Sequence, residues 1–180
     1  METETKQKRS KNEALLEVWQ QHNYSEWVMK DAKAALTTMT DNPHVLAVPI
    51  AIGGQGRDGV YNYYNNYFLA QLPADIRPIP ISQVIGNDIL AEEAVFKFTH
   101  DQVMDWMIPG VPATGRRVEV GVVAIVKFEN GLIASEHLYW DHASVLAQLG
   151  VLDPLKVPVK GAESARTLLD WAGVKRDPSL

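Results

Sequence analysis

The stretch that decides the fold covers residues 117–141 and reads RVEVGVVAIVKFENGLIASEHLYWD. Two apolar runs flank the dipeptide Asn130-Gly131, which is typical of a two-residue type I′ turn between antiparallel strands. The stretch therefore predicts a β-hairpin. Regular pairing outward from the turn is expected to set Val120 opposite Asp141.

One face of this hairpin is almost wholly apolar on its first strand, where valines recur at alternate positions. We expect this face to be buried. On the second strand the same face carries His137, Tyr139 and Asp141, whereas Glu136 is expected on the outer face. Buried ionisable groups cost free energy unless they have partners, so the three inward residues are candidate functional residues.

A second strand pattern brings His100 to the interior. In the strand predicted over 88–100, Phe98 and His100 share the apolar face. Since a buried histidine beside a carboxylate can exchange protons with a substrate, we expect Asp141 and His100 to line one cavity as a catalytic pair. Two other interpretations stay open: Asp141 as the N-cap of a helix over 142–149, and His100 as a core histidine bonded to a backbone carbonyl.

Composition sets limits on the class of protein. The chain has 180 residues, of which 46% are hydrophobic and 22% charged, enough apolar material for one domain with a core. A net charge of -5 argues against a nucleic-acid partner. The absence of cysteine excludes disulfides, thiolate metal sites and a cysteine nucleophile. No apolar run could span a bilayer and the first residues do not resemble a secretory signal, so we expect a soluble, cytoplasmic protein with no membrane partner.

The order of elements predicts an α+β fold. Helical patterns over 11–40 and 59–72 precede a run of consecutive strands, and this segregation favours helices packed on one face of an antiparallel sheet. We expect a flexible tail over 1–10, one domain over 11–153, and a C-terminal extension over 154–180 with a helix packed on the domain.

The segment Gly54–Gly59 matches the G-x-G-x-x-G pattern of dinucleotide-binding proteins. That function requires a parallel strand after the following helix, but here a proline-rich loop follows. Moreover, no acidic residue ends a second strand about 20 residues further on, as the pattern needs. A flexible loop with a helix cap is therefore the favoured interpretation.

Several motifs together resemble a known family. The chain is similar to the SnoaL-like branch of the nuclear-transport-factor-2-like superfamily, and within it to a subgroup labelled carboxymethylenebutenolidase-like. The motifs are Phe98-Thr99-His100-Asp101, Met104-Asp105-Trp106, Pro109-Gly110-Val111, Pro112-Ala113-Thr114-Gly115-Arg116, Glu136-His137, Tyr139-Trp140-Asp141-His142 and Gln148-Leu149-Gly150. True dienelactone hydrolases have a cysteine nucleophile, which this chain lacks.

The resemblance implies a cone-shaped, strongly curved antiparallel sheet wrapped by N-terminal helices, often in a dimer, with the C-terminal helix as an addition. In the polyketide cyclases of this branch, the residues matching Asp141 and His100 line the pocket and carry acid/base chemistry without a cofactor. The chain departs from those cyclases at Glu93, where they tend to carry arginine.

These observations predict a cofactor-independent acid/base enzyme that acts on a small, mostly apolar molecule as a cyclase, isomerase, dehydratase or hydrolase. The alternative is a non-catalytic small-molecule-binding or dimerisation module of the same fold. No metal is expected, and Trp106–Arg116 is expected to form a mobile rim over the pocket. A homodimer is expected through outer-face residues that include Leu138 and Trp140. The predicted pocket-lining residues are His137, Tyr139, Trp106, Tyr64, Phe98 and Asp101.

Overall fold

The structure is a computed structural model that describes residues 2–174, with side chains described from residue 11 onward. The helices are α1 (Glu2–Asn23), α2 (Ala32–Leu36), α3 (Gly56–Tyr63), α4 (His142–Leu149) and α5 (Glu163–Trp171). The strands are β1 (Met39–Ala47), β2 (Ile52–Gln55), β3 (Arg77–Gly86), β4 (Ile89–Thr99), β5 (Arg117–Glu129) and β6 (Leu132–Trp140). Wide π-helical turns continue α1 over Tyr24–Met29 and α3 over Tyr64–Phe68. Helix α1 begins at Glu2, within the segment 1–10 for which a flexible tail is predicted.

The strands form one curved, unclosed sheet in the order β2-β1-β6-β5-β4-β3. All neighbours are antiparallel except β1 and β6, which run parallel. Helices α1, α2 and α3 lie on one face, called the inner face here, and the main core lies between them and the sheet. The predicted α+β class with N-terminal helices and a C-terminal helix is confirmed.

The hairpin turn and the inward face of β4 agree with the predictions. Asn130 and Gly131 both have positive φ, at 53° and 82°, as a type I′ turn requires. Strand β5 alternates strictly between buried and more exposed positions, with four of its five valines buried and Val123 on the more exposed face. Phe98 is 3% exposed and His100 is fully buried.

A β-bulge at Ala134 makes the predicted hairpin register wrong beyond the turn. Phe128 pairs with Ile133, but Lys127 pairs with Ser135, so Ala134 has no partner in β5. Strand β1 also pairs with Ile133 and then with Ser135. Because side chains alternate along a strand, one extra residue turns every later side chain to the opposite face.

The bulge therefore places the side chains in the second half of β6 on the faces opposite to those predicted. Glu136 is buried, whereas Tyr139 is 42% exposed and Asp141 is exposed. Leu138 and Trp140, which were expected to form part of an outer apolar patch, are turned inward: Leu138 lines an inner cavity and Trp140 is 8% exposed. The prediction that His137, Tyr139 and Asp141 face the interior is wrong for this reason.

Gly54, the first glycine of the G-x-G-x-x-G segment, and Gly53 before it allow close packing of the backbone. A Cβ atom on Gly54 would lie 2.3 Å from the carbonyl oxygen of Gly59, and one on Gly53 would lie 1.9 Å from that of Val45. Strand β2 is antiparallel to β1, so the segment does not belong to a parallel β-α-β unit. This agrees with the rejection of a dinucleotide site.

Two further features complete the fold. Helix α5 packs on the outer face of the sheet, where Ala165 and Leu169 bury Val95. Trp106, Met107 and Ile108 are buried in the main core, so this part of the predicted mobile rim is packed instead. Among the described residues, no helix is long and apolar enough to cross a membrane.

Candidate active site

A cavity of about 320 Å³ lies between the inner face of the sheet and the C-terminal end of α1 with its π-helical turn. Its walls are mainly aromatic and aliphatic. The acidic residues in the lining are Glu26, Glu92 and Glu136, and the described lining residues include no lysine or arginine. We call this space the acidic cavity.

Helical spacing brings the first part of the site together. Trp19, His22 and Glu26 follow one another at three- and four-residue intervals, so they lie on one side of α1 and its continuation. All three side chains are buried, with exposures of 2%, 0% and 2%. Trp19 Nε1 donates a hydrogen bond of 3.0 Å to Glu92 on β4, which ties this helix face to the sheet.

His22 is the centre of a buried polar network. Its Nδ1 lies 2.7 Å from Thr38 Oγ1, and this hydroxyl itself donates to the carbonyl oxygen of Ala35 at 2.6 Å. Nδ1 is therefore assigned as a donor. Its Nε2 lies 3.1 Å from the hydroxyl of Tyr64 and 3.2 Å from Glu26 Oε1.

Glu136 enters the same network from β6. Its Oε2 accepts a hydrogen bond of 3.1 Å from the hydroxyl of Tyr64 and lies 3.6 Å from His22 Nε2. Since the Tyr64 proton is used toward Glu136, the Tyr64 oxygen is free to accept from Nε2. Both ring nitrogens of His22 are then donors, which is the arrangement of an imidazolium.

The charges of the cluster explain this protonation. Burial alone would lower the pKa of His22, but the carboxylates of Glu26 and Glu136 outweigh it and raise the pKa to about 10. Burial raises the pKa of Glu26, as does the nearby charge of Glu136, while His22 opposes the change. The cluster thus holds one imidazolium against two carboxyl groups that line the acidic cavity.

Burial and the same two carboxylates also raise the pKa of Tyr64 well above its ordinary value. Tyr64 therefore stays a neutral hydroxyl that bridges His22 and Glu136. Its exposure is 1%, and it lies behind the glutamates.

The atoms of His22, Glu26 and Glu136 could also hold a metal ion, because one ligand atom from each lies within 4.8 Å of the others. Metal binding would require a neutral imidazole with a free lone pair on Nε2. The donors and acceptors around His22 instead favour the protonated ring, so the cluster fits proton transfer better than metal ligation.

The structure does not bring the predicted catalytic pair together. The Asp141 carboxylate is exposed and accepts a hydrogen bond of 3.0 Å from the backbone N–H of Ser144, as the N-cap of α4. His100 contacts Thr114 Oγ1 through Nδ1 at 3.1 Å, and burial lowers its pKa. The helix-cap interpretation thus describes Asp141, and His100 is a core histidine whose partner is a hydroxyl rather than a backbone carbonyl.

The predicted pocket-lining residues are dispersed. Tyr64 belongs to the network, while Trp106 is buried in the core against Phe68, with ring centroids 5.1 Å apart. Phe98 borders a different cleft, described below. Asp101 and Tyr139 are exposed.

His137, also predicted to line the pocket, lies on the outer side of the bulged strand. Its Nε2 contacts His44 Nε2 at 3.0 Å, across the parallel pair β1 and β6.

Sequence reasoning missed Glu26 and placed Glu136 on the wrong face. One signal could have found Glu26: a histidine and a glutamate four residues apart on the apolar side of a helix, at His22 and Glu26. The prediction that Glu136 faces outward depended on the assumption of a regular hairpin, which the bulge contradicts.

The comparisons with known proteins agree with this architecture. The family model of the SnoaL-like polyketide cyclases matches residues 11–149. Among curated proteins, none matches the chain significantly.

Solved structures share the fold at low sequence identity. A candidate SnoaL-like polyketide cyclase from a Jannaschia species is 14% identical, with a TM-score of 0.65, over 79% of this chain and 95% of that one. A candidate polyketide cyclase from Acidithiobacillus ferrooxidans is 18% identical, with a TM-score of 0.60, over 78% and 96%. A Catenulispora acidiphila protein with a ketosteroid isomerase-like fold, in complex with trimethylamine, is 19% identical, with a TM-score of 0.56, over 74% and 92%.

Proposed function

Because the chain belongs to the SnoaL-like polyketide cyclase family, we propose that it is a cofactor-independent acid/base enzyme, of cyclase or isomerase type, acting on a small and mostly apolar molecule in the acidic cavity. One observation carries the proposal: two glutamates that line the cavity are backed by a buried imidazolium and a buried phenol.

Glu26 is the proton carrier in this proposal. A general acid or base works best when its pKa lies near the working pH, and burial together with Glu136 shifts the pKa of Glu26 upward from the ordinary range of glutamate. Its Oε1 is buried, pairs with His22 at 3.2 Å and makes no directed hydrogen bond. Glu26 also lines the cavity, so its carboxyl group can take a proton from a substrate bound there.

Glu136, His22 and Tyr64 support Glu26 in different ways. Glu136 lines the cavity as the second carboxyl group and is oriented by the hydroxyl of Tyr64. His22 and Tyr64 lie behind the two glutamates and act as positioning residues. The imidazolium also keeps the cluster from carrying two uncompensated negative charges in an apolar interior.

The lining selects the charge of the substrate. An anion would meet Glu26, Glu92 and Glu136 without a lysine or arginine in the described lining to offset them. Aromatic walls such as Trp27 and Phe96, whose ring centroids are 5.2 Å apart, favour flat apolar or cationic groups. The substrate class is therefore neutral or cationic.

Exchange of carbon-bound protons tests this chemistry without knowledge of the natural substrate. The protein is incubated in D2O with small neutral ketones such as cyclohexanone and 2-tetralone, and deuterium uptake next to the carbonyl is followed by mass spectrometry. We expect Glu26→Gln to lower the exchange rate about 10²–10⁴-fold, since Gln keeps the shape and removes the base.

Glu93→Gln is the matched control. Glu93 lies beside Glu92 in β4, but it accepts a hydrogen bond of 3.1 Å from Ser82 and does not line the cavity. The Glu93→Gln variant should exchange deuterium at the same rate as the wild type. The proposal fails if the wild type exchanges no faster than buffer, and saturable ligand binding without exchange would favour the non-catalytic binding module.

A further inference from the structure

A second, oppositely charged cleft lies on the outer face of the sheet, where β3 and β5 begin and β4 ends. Its volume is about 510 Å³, and α4 and α5 form its far wall through Gln148, Ala162 and Arg166. Helix α5 lies beyond residues 11–149, the part of the chain that the family model matches. We call this space the basic cleft.

Four cationic side chains and two carboxylates line the basic cleft. Both carboxylates are already engaged. Asp75 accepts hydrogen bonds from the backbone N–H of Thr99 at 3.0 Å and from its hydroxyl at 2.7 Å. Burial would raise the pKa of Asp75, but these bonds, together with the nearby charge of Arg117, hold it below its ordinary value.

Glu119 is engaged more strongly still. Its Oε1 accepts from Arg166 Nη2 at 2.7 Å and from Arg166 Nε at 3.0 Å, and its Oε2 lies 3.3 Å from Lys97 Nζ. Burial would raise the pKa of Glu119, but Arg166 and Lys97 hold it below its ordinary value. This cluster ties α5 to the sheet and uses the charges of Lys97 and Arg166 within the protein.

Two guanidinium groups remain. Within the described part of the chain, Arg77 and Arg117 make no side-chain hydrogen bond or ion pair, and both are exposed at the cleft. Arg77 stands directly opposite Lys97 in the register of β3 and β4, and like charges so placed repel each other. Arg117 stands opposite Thr99 on the next strand. The cleft is thus locally positive in a chain whose net charge is -5.

We propose that the basic cleft is a second ligand site, which binds an organic oxyanion through Arg77 and Arg117. Guanidinium forks match the paired oxygens of carboxylates and phosphates. The cleft volume falls within the range of small-molecule pockets, and Ala162 together with the aliphatic stems of the arginines can contact a carbon skeleton. The acidic cavity would repel the same ligand, so the two sites select opposite charges.

Isothermal titration calorimetry on the full chain at low salt tests the site with three probes: inorganic phosphate, phenyl phosphate and succinate. We expect the wild type to bind at least one of them, with phenyl phosphate bound more tightly than inorganic phosphate because of its ring. The variant Arg77→Gln/Arg117→Gln should lose at least tenfold in affinity, since two charge-assisted contacts are removed. Both arginines are exposed and neither makes a side-chain hydrogen bond or ion pair with another described residue, so we expect the double variant to fold.

Lys33→Gln/Lys127→Gln is the matched control, because it removes the same charge from two exposed positions in α2 and near the other end of β5. It should bind like the wild type. The proposal is overturned if no probe binds the wild type, or if both double variants weaken binding equally, which would indicate a general effect of net charge. Binding of succinate but not of the phosphates would assign the site to carboxylates, and the reverse to phosphate esters.

Discussion

The buried imidazolium of His22 makes the stability of the protein depend on pH in a specific interval. In the unfolded chain the ring loses its proton near its ordinary pKa of 6.5, whereas in the folded protein the pKa is about 10. Between these values the folded state holds a proton that the unfolded state has released. The contribution of His22 to stability is therefore fully present below pH 6.5 and is lost as the pH rises toward 10.

The size of the loss follows from the shift. One pKa unit corresponds to about 1.4 kcal/mol, so the pKa shift of His22 can contribute at most about 5 kcal/mol to the free energy of unfolding. We expect the free energy of unfolding, measured with urea at several pH values from 6 to 10, to fall by an amount of this order. The variant His22→Gln should lose stability at pH 6 and show a much flatter profile.

His142→Gln is the control, because burial lowers the pKa of His142 and its contribution is constant above pH 6.5. The chain has five histidines, so the ring of His22 can also be followed directly by NMR. The reasoning is refuted if that ring titrates near 6.5 and the wild type and His22→Gln lose stability in parallel. The NMR measurement decides the question even if His22→Gln does not fold.

Three other predictions follow from single contacts. Gly54→Ala should destabilise the fold by more than about 2 kcal/mol in urea, because its Cβ would meet the Gly59 carbonyl oxygen at 2.3 Å, whereas Gly59→Ala, with its nearest atom at 3.7 Å, should cost less than about 1 kcal/mol. Because Asp141→Ala removes the N-cap of α4, it should lower the free energy of unfolding by about 0.5–2 kcal/mol, whereas Asp141→Asn should stay near the wild type. A loss of proton exchange in Asp141→Asn would contradict this purely structural role. Dialysis against a chelator should leave proton exchange unchanged, because a protonated His22 cannot ligate a metal, and a loss restored by zinc or manganese would show the opposite.

Local chemistry explains which parts of the fold were predictable. The turn at Asn130-Gly131 depends on two residues that tolerate positive φ, and the faces of β4 and β5 depend on alternation within one strand. The N-cap role of Asp141 was likewise readable as one of two alternatives, since capping involves only the next few residues.

The bulge at Ala134 was not predictable by the same means. Alanine carries no turn or bulge signal, and the position is skipped by both neighbouring strands, β1 on one side and β5 on the other. The extra residue is therefore set by how three strands fit together rather than by the hairpin alone. Every expectation about the later part of β6, including the inward orientation of His137, depended on its absence.

The bulge and the polar network depend on each other energetically. In the regular register His137 would face the interior, and the imidazolium of His22 would lose the carboxylate of Glu136 as a partner. With the bulge, Glu136 enters an apolar interior, where a carboxylate is costly unless a positive charge and a hydrogen-bond donor meet it. His22 supplies the positive charge and Tyr64 supplies the hydrogen-bond donor, so these two residues stabilise the bulged register against the regular one. The bulged register in turn places the carboxyl group of Glu136 in the acidic cavity.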